Sequence, residues 1–372
     1  MSIGQVVELL IGLALVASML LDIFWTVVVP RRPPRAGRIF RLSRYIVFRL
    51  WNAWRWLGLR MDARREGFLG SFGALAVILL LVGWVTGLVI GYGLALDALR
   101  EQMRPSPETL SASLYYAGES MLTLGFGDYI ATGTFARLIT LVAAATGLGI
   151  FAAVLTLLFT LYQSFQRREV AVVVLEAGAG APPSGVTLLE TYALAGILDD
   201  LPRVFENWQA WAAEVLDSHL AYPVLAYFRS SHDNDSWISS LGAVMDAATL
   251  VLTTIEDGPK GWAKLSRAVG GHCLEDLVQY FRLPDEVEVG LEREEFDEAV
   301  RRLQNAGFRV RDVDEAWSAF SRLRMEYAGR VNALARHWAT PPAQWIGDRS
   351  PLRYPRVHKS PPAGQPLVGA RS

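Results

Sequence analysis

The stretch Thr123-Leu124-Gly125-Phe126-Gly127-Asp128 decides how the rest of this chain is read. Two glycines alternate with other residues, and glycine adopts positive φ at no steric cost. An extended strand with that freedom at alternate positions can turn consecutive carbonyls to one side. The Thr123 hydroxyl adds an oxygen below them. A column of such oxygens replaces the hydration shell of a dehydrated cation. One chain supplies one strand, so a closed ring of ligands needs several copies around an axis.

Outward from the stretch, the flanks are apolar. Pro107 is expected to open a short amphipathic helix that ends at Leu122. Its length of about 15 residues falls short of the roughly 20 that a crossing needs. It must therefore enter and leave the membrane on the same side, and non-helical backbone at that depth is tolerated only inside protein or beside water. Phe68 to Leu96 is uncharged and forms a span; Gly83, Gly87 and Gly91 recur every four residues along it and allow close helix contact. Leu138 to Gln166 forms another, bounded by Arg137 and by Arg167-Arg168. Leu9 to Val29 is the first span, interrupted only by Asp22 and ended by Pro30. A carboxylate at that depth is costly, and pairing with a nearby arginine is expected. No arginine recurs at every third position of this helix, so it is not a voltage sensor.

With these flanks in place, the stretch resembles the filter signature of the potassium channel family, Thr-Val-Gly-Tyr-Gly-Asp, with Leu124 for valine and Phe126 for tyrosine. Leu114-Tyr115-Tyr116-Ala117-Gly118-Glu119 fits as well: many bacterial members carry an aromatic pair here and an acidic residue four before the filter threonine. The resemblance covers roughly residues 71–165. It implies a homotetramer with K⁺ as the permeant ion, held through Thr123, Leu124, Gly125 and Phe126, and no cofactor. It also implies that Tyr115 and Tyr116 brace the filter as an aromatic cuff. Glu119 would lie behind the strand near Asp128; in related channels such a carboxyl pair shares a proton or a water, because two like charges at that range do not both ionise cheaply. The short helix would aim its negative C-terminal dipole at the cavity below the filter. Gly147, 19 residues past Asp128, matches the family's inner-helix hinge; a glycine there bends a helix or serves close packing, and both readings stand. Phe126 loses the tyrosine hydroxyl and one hydrogen bond that holds the filter open, and Leu124 is bulkier than valine but packs away from the pore. Neither removes a carbonyl ligand, so potassium selectivity is expected to be weakened rather than lost.

The remainder is organised by charge. Residues 31–65 contain eleven arginines, at 31, 32, 35, 38, 41, 44, 49, 55, 60, 64 and 65. By the positive-inside rule this segment is cytoplasmic, which places the N-terminus outside and, after three spans, the C-terminal half inside. Ile39, Leu42, Ile46, Leu50, Trp54 and Leu57 recur at helical spacing, with Trp51 and Trp56 beside them. This reads as an interfacial helix on the inner leaflet, with membrane lipids as its partner and a specific anionic-lipid site as the sharper alternative. After Val170 to Leu175, the run Ala177 to Pro183 is a linker by composition.

From there to about Thr340 the apolar period is helical. Leu201, Phe205, Trp208, Trp211, Val215 and Leu216 share a face; Ile238, Leu241, Met245, Leu252 and Ile255 share another; Val313, Trp317, Phe320, Tyr327, Val331, Leu334 and Trp338 mark the last helix. Gly258-Pro259 and Leu283-Pro284 mark breaks. The expected fold is an all-α membrane protein: three transmembrane helices with a re-entrant pore helix and filter loop, plus an all-α cytoplasmic bundle of five to seven helices. The expected divisions are 1–30, 31–67, 68–166, 167–340 and a Pro/Arg-rich tail over 341–372.

Composition agrees. Of 372 residues, 52% are hydrophobic, concentrated in the first 166, and the net charge of -1 implies no bulk attraction to nucleic acid. The apolar N-terminal run has no basic start and no cleavage site, and so reads as a span rather than a signal peptide. One cysteine, Cys273, excludes an intrachain disulfide framework and fits a reducing cytoplasm. No Gly-x-Gly-x-x-Gly follows a strand. His272, Cys273, Glu275 and Asp276 lack a zinc spacing, and Asp285 to Glu298 lacks the calcium-loop pattern. No catalytic set emerges, so no enzyme is expected. The reading is a potassium-selective channel of the cell membrane. Its rivals are a weakly selective cation channel and a membrane-anchored sensor or scaffold whose pore loop is only structural; an uptake transporter, with four single-glycine loops in one chain, fits worse. The ligand of the cytoplasmic part is unassigned.

Overall fold

The computed structural model describes residues 1–29, 42–61, 65–230, 235–284 and 291–346. Pro30, Ile39, the arginines at 31, 32, 35, 38, 41 and 64, Asp285 and the tail from 347 lie outside the described residues. Among the described residues, three helices are long and apolar enough to cross a membrane: Ile3–Val28, Arg65–Asp97 and Thr134–Ala179.

The first, α1 (Ile3–Ile23), starts six residues earlier than its apolar pattern suggests. Ser2 caps it, accepting from the Gln5 amide at 3.2 Å while the Gln5 side chain accepts from the Ser2 amide at 2.6 Å. It ends in a π-helical turn, Phe24–Val28. A helix α2 (Leu42–Gly58) follows; then α3 (Arg65–Gly70), a turn at Ser71, and α4 (Phe72–Asp97). α1 lies along α4, and small residues allow the approach: a Cβ on Gly12 would sit 2.6 Å from the Gly91 carbonyl oxygen. Asp22 is buried in this contact and accepts a hydrogen bond from Trp84 Nε1 at 2.7 Å. An indole N–H from the neighbouring span thus meets the carboxylate; the nearby arginines expected to pair with it, at 31, 32, 35, 38 and 41, lie outside the described residues.

α6 (Thr134–Ala179) corrects a larger expectation. It runs unbroken for 46 residues, about 69 Å at 1.5 Å per residue. It passes Arg167-Arg168, where valines and alanines continue the helix, and takes in the first three residues of the presumed linker, Ala177 to Ala179; Gly180, with φ +79°, to Pro183 makes the turn. Six helices follow among the described residues: α7 (Gly185–Leu194), α8 (Leu201–Ala221), α9 (Trp237–Thr253), α10 (Lys260–Phe281), α11 (Arg293–Asn305) and α12 (Val313–Trp338). Breaks fall at Pro259 and just before Pro284, as the sequence suggests. α9 is the centre of this bundle, and its buried Asp246 accepts from Arg324 Nε at 3.0 Å and Tyr327 Oη at 2.6 Å, both on α12. Cys273 is fully buried on α10, and burial pushes its thiol up to about 12.

The tryptophans of α2 divide. Trp51, 1% exposed, packs edge-on against Phe72 of α4 and Tyr227, so it is a core residue and not a membrane-surface one. Trp54 stacks on Phe68 and donates to its carbonyl at 2.9 Å. Only Trp56 is exposed. Sequence periodicity placed a helix here correctly, but it could not tell which face meets protein.

Candidate filter and its supports

The helix leading to the filter, α5 (Leu110–Met121), is capped by Thr109 rather than opened by Pro107. Thr109 is extended and its side chain accepts from the Ala112 amide, the ordinary role of threonine at this position. The first turn is anchored from α4: Ser113 Oγ donates to buried Asp97 at 2.8 Å, and Asp97 pairs with Arg100 at 3.3 Å. Tyr92 Oη and Thr146 Oγ1, 2.7 Å apart, join α4 to α6; Tyr116 Oη and Thr140 Oγ1, 3.3 Å apart, join α5 to α6. A two-stranded ladder, Met103–Arg104 (β1) against Ile130–Ala131 (β2), closes the loops on either side of the filter.

After α5 the Thr123 amide donates to Ser120 O at 3.2 Å and the Leu124 amide to Glu119 O at 3.0 Å, which fastens the strand to the helix end. From there φ is positive at every second residue: Thr123 at 55°, Gly125 at 63° and Gly127 at 85°. Alternating hand flips each peptide plane relative to the last, which is how successive carbonyls come to face one side. Sequence reasoning assigned this freedom to the glycines and missed that Thr123 shares it. A left-handed non-glycine residue costs about 1–2 kcal/mol, so its neighbours must hold it.

The supports are close. The Tyr115 ring stacks on Phe126, 6.5 Å between centroids and 9° between planes, and meets Tyr129 edge-on at 6.4 Å. Its hydroxyl faces both Asp128 and Glu119. Glu119 is buried, and its Oε2 has no hydrogen-bond partner among the described residues. Tyr116 is buried behind α5. Gly147 lies against the end of α5, where a Cβ would come within 1.8 Å of the Met121 carbonyl oxygen. α6 stays helical through this point, and nothing larger than glycine fits.

One chain leaves the filter uncovered. Leu122, Leu124 and Phe126 are 61%, 53% and 67% exposed, and a Cβ on Gly125 or Gly127 would touch nothing. Asp97, Ser113, Tyr92, Thr140 and Thr146 escaped the sequence reading. Asp97 alone had a signal there, as the first charge after an uncharged run; the hydroxyl pairs depend on which helix faces meet.

Residues 75–164 match the family described as "Ion channel". The segment from α4 through the membrane part of α6 is therefore similar to the pore segment of ion channels, the kind the potassium channel resemblance pointed to. The chain is also 25% identical over 245 residues to an uncharacterized membrane protein, YdjJ, of Bacillus subtilis (strain 168), across 64% of this chain and 68% of the relative. No solved structure matches. This is a membrane protein with a segment that matches an ion-channel family.

Proposed function

We propose that the protein is a potassium-selective channel in which four copies surround one axis and conduct K⁺ passively across the cell membrane. The alternation of left-handed φ at Thr123, Gly125 and Gly127, between α5 and α6 of an ion-channel module, carries this reading. Thr123, Leu124, Gly125 and Phe126 offer oxygens to a dehydrated K⁺; Asp128 marks the exit; Tyr115, Tyr116 and Glu119 hold the strand. The uncovered filter side chains are the surface that neighbouring copies cover. A bend at Gly147 would move Met121 and with it the end of α5, so the gate and the filter share one contact. In this reading the N-terminus lies outside and the α7–α12 bundle in the cytoplasm, which the arginines of 31–65 support by the positive-inside rule.

The test is cation flux in liposomes holding the purified full-length chain. K⁺ should pass far better than Na⁺, and barium should block it. A reversal potential indifferent to exchange of K⁺ for Na⁺ would support the weakly selective reading that Phe126, without a hydroxyl, favours. No flux at all would favour the scaffold.

A further inference from the structure

The last carbonyls of a helix have no partner within it. At the end of α12 all four find one near the foot of the spans. Arg336 O accepts from Arg55 Nη2 at 2.9 Å and His337 O from Trp51 Nε1 at 3.0 Å. Trp338 O and Ala339 O accept from Arg229 at 2.9 and 3.0 Å. Arg229 is itself paired with Glu66 of α3 at 2.6 Å. Two guanidinium groups also suit the negative end of the helix dipole. Two of these caps come from α2, so a shift of α2 is a shift of the bundle's last helix.

The opposite side of α2 is differently built. Arg49, Ala53 and Trp56, spaced i, i+4 and i+7, form one exposed stripe, with exposed Leu50 and Leu57 along its edge and exposed Arg60 in the turn just past the helix end. The Arg60 guanidinium lies over the Trp56 ring, 3.3 Å from its centroid. Val47, Trp51 and Gly58 face the other way and are buried. The span Arg65–Asp97 starts seven residues after Gly58, which puts α2 at the edge of the apolar layer. Leucines beside arginines and a tryptophan suit a helix lying in the headgroup plane, apolar groups inserted and guanidinium groups among phosphates.

We propose that this face of α2 docks on anionic lipid headgroups of the leaflet on the bundle's side, and that the docking sets the position of the cap on α12. Docking stands on the spans and on α2 alone, while any effect on conduction rests on the channel reading above.

The full-length chain carrying Leu57→Cys, labelled with an environment-sensitive fluorophore, is placed in phosphatidylcholine vesicles with increasing phosphatidylglycerol. The native thiol, Cys273, is buried and stays unlabelled. The label should shift to the blue, and be quenched by brominated phosphatidylglycerol, in proportion to the anionic fraction; high salt should reverse both. An arginine at an anionic surface contributes about 1 kcal/mol, a factor of about five. Arg49→Gln with Arg60→Gln should therefore weaken docking about 25-fold and leave the label wet at anionic fractions that dock the unaltered chain, and Arg49→Lys with Arg60→Lys should restore it. A label that stays wet in every vesicle overturns the docking. So does quenching equal in neutral and anionic lipid, or protection already complete in detergent, which would mean that a second copy covers the face. K⁺ flux on the same vesicles separates the two readings. A docked label without flux in any lipid sinks the channel and spares the docking; flux with a wet label does the reverse. A docked label with flux indifferent to the anionic fraction overturns the coupling to the cap on α12.

Discussion

In α9, at the centre of the C-terminal bundle, sixteen of 17 residues are buried, whereas in α6 only eleven of 46 are. In the upper part of α6 the buried positions Ala136, Ala143, Ile150 and Leu157 recur every seven residues, one narrow seam against α4 and α5. Both helices are apolar, but they differ in who completes them. The bundle closes over α9 with its own α7, α8, α10 and α12, while the rest of α6 and the whole filter await lipid or other copies. Folding of the bundle is therefore a property of one chain, whereas the proposed filter would need other copies to close it. Changes at the filter should abolish function and leave bundle stability alone; changes in the bundle core should do the opposite.

The largest effect should come from Gly125→Ala. Its φ of +63° is strained for any side chain, and a loss of carbonyl alignment in every copy should end K⁺ flux in liposomes. Thermal unfolding of the bundle, followed by tryptophan fluorescence, should not move. Coupled loss of both would break the separation drawn here.

In the bundle, Asp246→Ala leaves Arg324 as a buried charge without its carboxylate partner, a loss of about 3–5 kcal/mol in denaturant titration. A cost below 1 kcal/mol would mean that α9 and α12 do not depend on that network.

A smaller effect should follow pH. Burial, helped by the charge of Arg55, holds the His337 imidazole down at about 4. Burial and then Arg168 push His219 well below its usual range as well. The native chain resists protonation that the unfolded chain accepts near pH 6.5, so stability present at neutral pH is lost as pH falls from 6.5 toward 4. For His337 alone that is about 2 kcal/mol at pH 5. His337→Gln should flatten the slope between pH 7 and 5, and an unchanged slope would remove His337 as its source.

The smallest effect sharpens the filter side. Phe126→Tyr returns one hydroxyl beside Tyr115, worth about 1 kcal/mol or a factor of about five. Discrimination of K⁺ against Na⁺ should rise by no more than that, with bundle unfolding unchanged. A larger gain would mean that the present filter is held much more loosely than its backbone suggests.

Sequence by itself determined the elements that obey one-dimensional rules. Uncharged runs of span length, glycine alternation at 125 and 127, and helical periodicity in the bundle survive any tertiary arrangement, because length, φ freedom and amphipathic spacing are local properties. Tertiary structure decided which faces meet. Trp51 is core and Trp56 is surface, although both are tryptophans on one helix. Asp22 turns to Trp84, 62 residues away, and Ser113 to Asp97 across two helices. Thr123 takes a left-handed φ that its residue type disfavours, because α5 and the flanking ladder hold both ends of the strand. α6 runs on past Arg168 as far as Ala179, since alanine and valine leave the helix free to continue wherever α7 and α9 offer a surface to cover. These outcomes rest on contacts between residues far apart in the chain, and local pattern carries no record of them.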